Sequence, residues 1–175
     1  MGIQLTDGHI TLRQFDLADA PYHLAHEDEE IEKWVSGGKS TPESVKAWIE
    51  KNAQHWENNG PVFNFAVTDS NGVLIGMVEA NSDQTVIPEL QDSDANISYA
   101  LFADARGKGY ATRAVTLMMT FLKNKHFKRA IIRVDAKNEP SQGIPQRLGF
   151  EQISSKNAKE GDLITFAKIL EQVKI

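Results

Sequence analysis

The stretch from Ile97 to Thr112, ISYALFADARGKGYAT, constrains this chain more than any other. A run of strand-forming residues ends at Leu101, a short loop follows, and a helix begins inside a turn that contains Gly107 and Gly109. Such a turn presents several backbone N–H groups at a helix N-terminus, where the macrodipole adds partial positive charge. Gly107 and Gly109 let a phosphate approach the backbone closely, and Arg106 and Lys108 add full charges. The segment reads as an anion site for a phosphate or pyrophosphate, built where a strand hands over to a helix.

Three patterns compete for it. A Walker loop, G-x-x-x-x-G-K-[ST], is absent. A dinucleotide fingerprint, G-x-G-x-x-G, is met by Gly107 and Gly109 but has Thr112 at its third small position; Asp135 lies roughly where a ribose-binding acid would sit. The third pattern, [QR]-x-x-G-x-[GA], is met by Arg106, Gly109 and Ala111.

The rest of the chain frames the segment. His9–Arg13 alternates as a strand, and Asp16 is placed to cap a helix over Leu17–His26. Glu29–Val35 reads as a short helix stopped by Gly37 and Gly38. Thr41-Pro42-Glu43 is a helix start, with an apolar stripe at Val45, Trp48, Ile49 and Trp56. Phe63, Phe65 and Val67 alternate, as do Val73, Ile75 and Met77, with Asp69-Ser70-Asn71-Gly72 as the turn between two hairpin strands. Asn81–Gln91 reads as a loop and Gly109–Leu122 as a helix. Ala130–Ala136 is a buried strand, Pro140–Leu148 a short helix, and Glu151–Ser155 and Leu163–Leu170 are closing strands. An antiparallel meander followed by strand–helix–strand crossovers implies an α/β fold with helices on both faces of a mixed sheet. At 175 residues, positions 1–175 read as one domain.

Charge is segregated. Between Asn52 and Ala105 there is no Lys or Arg, whereas Arg106 to Lys137 carries nine cations against one acid, Asp135. The division suggests a polyanion bound by one half and a cation by the other, or two solvated faces. The net charge of −5 argues against a nucleic-acid partner. No apolar run reaches the ~20 residues of a membrane span. The absence of cysteine excludes disulfides and a Cys nucleophile and fits a cytoplasmic protein. His23, His26, Glu27 and Glu30 have helical spacing that could suggest a metal, but without a thiolate or HExxH they read as surface polar residues of an amphipathic helix. Trp34, Trp48 and Trp56 read as core or as the wall of a substrate pocket.

At these residues the chain resembles the GNAT (GCN5-related N-acetyltransferase) superfamily, and within it the ribosomal-protein N-acetyltransferase-like group. ISYALFADARGKGYAT is similar to the group's pyrophosphate segment, and VDAKNEPSQGIPQRLGF, Val134 to Phe150, to its next segment. ITLRQFDLADA and EEIEKWV are similar to its opening, so the likeness runs from about His9 to Ile169. The resemblance implies a GNAT-like sheet of about seven strands, largely antiparallel, with a V-shaped splay between the fourth and fifth, here Ile97–Leu101 and Ala130–Ala136. It implies acetyl-CoA as co-substrate and no metal. The pantetheine arm would pair with the backbone edge at Leu101, Phe102 and Ala103. The pyrophosphate would lie on Arg106, Gly107, Lys108, Gly109, Tyr110, Ala111 and Thr112, and Asn138 would hold the pantetheine.

The implied activity is direct attack of a neutral primary amine on the thioester, the acceptor being a protein N-terminus or a small basic amine. The alternative is a non-catalytic acyl-CoA-binding module; a homodimer is compatible with either. Members of the group often have Glu where Asn96 stands, and many have a Tyr acid where Pro145 stands. Asn cannot act as a base but can hold a water or the amine. The proton acceptor is therefore Glu79, Asp94 or a water chain held by them and Asn96. Ser141 is the candidate donor to the leaving thiolate. Arg113 stands where the group commonly has Glu, and it would reach a CoA phosphate or point to solvent.

Overall fold

A computed structural model describes residues 2–158 and 161–170 of the chain. The expected span 1–175 also includes residues 1, 159–160 and 171–175, which lie outside the described residues. Eight strands form one sheet: β1 (Gln4–Thr6), β2 (Ile10–Arg13), β3 (Val62–Asp69), β4 (Leu74–Asn81), β5 (Asp94–Leu101), β6 (Arg129–Asp135), β7 (Glu151–Ala158) and β8 (Gly161–Ile169). Their order is β1-β2-β3-β4-β5-β6-β8-β7, and every neighbouring pair is antiparallel except β5 with β6. The strand beyond the expected seven is β1. It has three residues, with only Leu5 part-buried opposite Leu12, too short to show an alternation in sequence.

The helices follow their local signals. Asp16 caps a single 3₁₀ turn at Leu17–Asp19, not the whole expected helix; α1 (Ala20–His26) follows with Pro21 in its first turn, where a missing N–H costs nothing. Asp28 accepts from the Ile31 N–H to start α2 (Glu29–Ile31), which widens into a π turn at Glu32–Ser36 and stops at left-handed Gly37. Thr41 and Ser44 form a reciprocal capping box on α3 (Pro42–Glu57). α4 (Tyr110–Asn124) is the crossover between β5 and β6, and α5 (Glu139–Arg147) follows β6.

Because opposed residues in a sheet share a face and successive ones alternate, the register divides the sheet cleanly. One face carries Leu12, Phe65, Val67, Val78, Ile97 and Ile132, packed with Val115, Met118 and Leu122 of α4 in the main core. Trp56, Phe63, Phe65 and Phe121 meet there with ring centroids 4.8–5.7 Å apart. The opposite face carries Asn64, Glu79, Ser98 and Asn96, aligned through the pairs Asn64↔Glu79, Glu79↔Ser98 and Asn96↔Ile131.

The parallel pair is short. β5 and β6 pair only at Asp94–Asn96 with Arg129–Ile131, after which β5 runs on to Leu101 and β6 to Asp135 without pairing to each other. This is the expected splay, between Ile97–Leu101 and the strand after α4. Its closed end is held by Arg129, whose Nε and NH2 groups donate to the two oxygens of buried Asp94 at 2.9 and 2.6 Å. Asp94 also accepts the Gln91 N–H at 2.8 Å. Its carboxylate is thus engaged in holding two strands and a loop, which removes it as a candidate base.

Candidate active site

Two cavities flank the gap between β5 and β6. The larger, about 810 Å³, runs along Leu101, Gly107, Gly109, Tyr110, Ala111 and Thr112 to α5. The smaller, about 380 Å³, is lined by Trp34, Trp48, Met77, Glu79, Ser98 and the β6 stretch Ile132–Asp135. Both are lined by Trp34, Val35, Tyr99, Asn138 and Ser141, so these residues stand where the two meet.

The larger cavity is suited to an extended anion. Gly107 and Gly109 have φ of 73° and 79°, a backbone state that L side chains resist, and the space a Cβ would take at either is open. Gly109 caps the fifteen-residue α4 without any side-chain acceptor. The first-turn N–H groups of α4 are consequently left for a ligand. Of the residues expected to bind the cofactor, Leu101, Arg106, Gly107, Gly109, Tyr110, Ala111, Thr112 and Asn138 line this cavity; Phe102, Ala103 and Lys108 do not.

Two expectations about this side change. The first concerns the backbone edge. The Phe102 N–H donates to the Ile75 carbonyl at 2.9 Å, so it faces β4. Backbone groups alternate in direction along a strand, so Tyr99 and Leu101, not Phe102, turn their N–H groups to the gap. Phe102 itself is buried against Ile31, Leu74 and Ala66. The second concerns charge. Arg106 clamps Asp28 through two bonds of 2.7 and 2.9 Å and donates from Nε to the Leu101 carbonyl at 2.9 Å. The hydrogen bond from Arg106 holds the Asp28 carboxyl below its ordinary range. Arg113, its side chain partly exposed, pairs with Asp7 at 2.7 Å. Three arginines of the basic block, Arg106, Arg113 and Arg129, are therefore neutralised within the fold. Arg147, in the last turn of α5, lines the larger cavity and makes no ion pair among the described residues. Sequence reasoning did not find it, because nothing local marks which face of so short a helix turns inward.

On the other side, Glu79 lines the smaller cavity. Burial pushes its carboxyl above the ordinary value, opposed by a hydrogen bond of 2.9 Å from the Asn64 side-chain amide. A carboxylate whose pKa is raised holds an accepted proton more firmly than an ordinary one. Asn96 lies elsewhere. It sits at the closed end of the splay opposite Ile131, 9% exposed, outside both cavities and with its side-chain oxygen unpartnered. The acidic stretch after Glu79 divides similarly. Asp83 holds its own loop through Thr85, Asp92 accepts from Gln84, and Asp94 pairs with Arg129.

Ser141 lies on α5 at the junction of the cavities, and the Tyr99 hydroxyl donates to its carbonyl at 2.9 Å. Burial raises the Tyr99 phenol well above its ordinary value, so it is a protonated donor at neutral pH. Pro145, at the position where relatives of this type often place Tyr, is fully buried and faces the core. Tyr99 therefore brings a hydroxyl to the junction from β5. Sequence reasoning passed it over because it sits in a strand pattern and meets Ser141 only through the fold. His23 is not a surface residue. It is 6% exposed, stacked on Trp48 at 5.2 Å and edge-on to Phe102 at 5.6 Å, and burial lowers its pKa. Trp48 and Trp34 are cavity wall, while Trp56 is core, its indole N–H donating to the Asn64 carbonyl at 3.0 Å. Among the described residues no three His, Asp or Glu come together as a metal-binding group, and no helix is long and apolar enough to cross a membrane.

Comparison with known proteins gives the arrangement its family. A profile of the acetyltransferase (GNAT) domain matches residues 9–151. A search of curated proteins finds no match. Among solved structures, ribosomal-protein-S5-alanine acetyltransferase from Vibrio fischeri superposes with a TM-score of 0.81 at 21% identity, covering 99% of this chain and 100% of its own. RimL, a ribosomal L7/L12 α-N-protein acetyltransferase solved with coenzyme A, gives 0.82 at 16% identity over 97% and 98%. The microcin C7 self-immunity acetyltransferase MccE, solved with acetyl-CoA and AMP, gives 0.79 at 21% identity over 94% and 93%. At these identities the structures speak for the fold. The domain profile spans most of the chain, and with it the protein belongs to the GNAT acetyltransferase family.

Proposed function

We propose that the protein is an acetyl-CoA-dependent N-acetyltransferase that acts on a primary amine, either a protein N-terminus or a small amine. The observation that carries this reading is the gap between β5 and β6, which joins an anion-suited cavity to one lined by the half-buried carboxylate of Glu79. Acetyl-CoA, when bound, supplies a thioester whose acetyl carbon can be attacked by nitrogen. The first turn of α4 and the left-handed Gly107 and Gly109 hold phosphate, the Tyr99 and Leu101 backbone groups orient an extended arm, and Asn138 lies beside that arm.

Glu79 is the proton acceptor on the amine side. An ammonium ion cannot attack, and lysine-like amines have an ordinary pKa of about 10.4 against about 7.7–8.0 for an α-amine. A carboxylate lifted by burial takes the proton without collapsing to a permanent ion pair. Asn64 fixes the Glu79 side chain at 2.9 Å. On the thiol side, the Ser141 hydroxyl is the available donor, and the Tyr99 phenol, which donates to the Ser141 carbonyl, fixes where Ser141 stands.

Calorimetric titration with acetyl-CoA, followed by a thiol-release screen over small amines and N-terminal peptides, tests the reading. Binding with turnover is the expected result. Binding without turnover under any amine would favour a non-catalytic acyl-CoA-binding module, and no binding would overturn the site.

A further inference from the structure

The chain has six arginines, and their pairing is uneven. Arg13, Arg106, Arg113 and Arg129 each lie 2.6–2.7 Å from an aspartate. Arg133 does not. It stands on β6 at the smaller cavity, half-buried, and no carboxylate among the described residues reaches ion-pair distance of it. Asp135, two positions along the same face, lines the same cavity and is also outside that distance. A guanidinium remains charged at any working pH, and partial burial without an anion is costly, so this placement favours a ligand that brings one.

The register orients that ligand. Arg133 shares a sheet face with Ile131, which is opposite Asn96, and therefore with Ser98 and Glu79. Glu79 and Arg133 thus look into one cavity from β4 and β6, with β5 between them. β4 and β5 are one strand spacing apart, roughly 5 Å, and the splay sets β6 further off at Arg133, so the cavity has room for a short ligand between the two side chains. We infer that the acceptor is a primary amine bearing a carboxylate a few bonds away, with Arg133 reading the carboxylate while the amine faces Glu79. This deepens the proposed function and rests on its assignment of the smaller cavity to the acceptor. A purely cationic polyamine would instead meet the Arg133 charge.

The carboxylate can belong to an acidic side chain near a peptide N-terminus or to a small amino acid, and matched pairs separate the two. The peptides Ala-Glu-Ala-amide and Ala-Gln-Ala-amide form one pair; 4-aminobutyrate and its amide form the other. Each is titrated into wild-type protein, Arg133→Gln and Arg133→Lys, with and without CoA, and folding of the variants is checked by thermal melting. In at least one pair the carboxylate member should bind wild type about tenfold tighter or more, the scale of a charge-assisted hydrogen-bonded contact. Arg133→Gln should bring the two members within about twofold, and Arg133→Lys should restore part of the difference, since it keeps the charge but loses the bidentate fork. The pair that responds names the source. Equal or undetectable binding within both pairs, or a preference that survives Arg133→Gln, overturns the inference. A separate acetyl-CoA titration of the same protein reports on the proposed function, so loss of donor binding is read apart from loss of acceptor discrimination.

Discussion

The two faces of the sheet are built from the same strands to opposite ends. Under α4, the inward positions Leu12, Phe65, Val67, Val78, Ile97 and Ile132 are all apolar and at most 1% exposed. On the other face the same strands present Asn64, Glu79, Asn96, Ser98 and Arg133. There the side-chain oxygens of Asn64 and Asn96 are buried without a partner, a cost of about 1–3 kcal/mol each that the six apolar positions do not incur. The contrast teaches that the main core and the ionisable groups of the cavity are kept on separate sides, the second face burying only the smaller clusters around Ala66 and Ile131.

Substitutions can break that division. The largest effect on function is expected from Glu79→Gln, which should reduce turnover by about 10²–10⁴-fold while leaving acetyl-CoA affinity alone. Its pH behaviour sharpens the point. Burial lifts the Glu79 carboxyl, so the folded chain holds that proton more tightly than the unfolded chain. The contribution of Glu79 to stability is therefore full below the unfolded pKa and is lost as pH rises through the folded one. Turnover should rise over the same interval. Denaturation across a pH series should show this fall in wild type and not in Glu79→Gln; a Gln variant markedly less stable at neutral pH would mean that Glu79 is structural.

Leu122→Ala on the apolar face should do the reverse. It should cost about 2–5 kcal/mol of stability, read by urea unfolding, with turnover per folded molecule retained. A large loss of turnover in folded protein would mean that the faces are not separable. Gly109→Glu acts on the turn at the end of the apolar face. It forces an L residue to φ near 79°, fills the open space at the turn and adds like charge. Acetyl-CoA affinity should fall about a hundredfold or more by calorimetry, and unchanged affinity would remove the turn from the site. The smallest effect is expected from Ser141→Ala, about tenfold in turnover with affinity unaltered, because a thiol pKa of about 8.5 makes the thiolate a leaving group that needs little proton donation. Equal rates would remove Ser141 from the mechanism.

Much of the fold was legible because its signals are local. The turn at Asp69–Gly72 fixes a hairpin, Thr41 and Pro42 start α3, and Gly109 starts α4 within one residue of where the pattern placed it. β1 was not legible, since three residues carry no period. The site was legible in part. The glycines of the turn, Asn138 and Ser141 could be named from spacing and resemblance, and all of them line the larger cavity. The charges could not. Arg106, Arg113 and Asp94 looked available in sequence, and each is held by a partner 78, 106 or 35 positions away.

Sequence alone determined the order of the elements, the apolar stripe that buries α4 and the backbone freedom at Gly107 and Gly109, because each depends on residues within a few positions of one another. Tertiary structure alone decided which ionisable groups remain to meet a ligand. Ion pairing and burial depend on distances through space between segments far apart in the chain, and a carboxylate or guanidinium has no role until those distances are fixed. Hence Asp94 became a strand clamp, Asn96 was closed into the apex of the splay, and Glu79, Tyr99 and Arg133 came to face the gap.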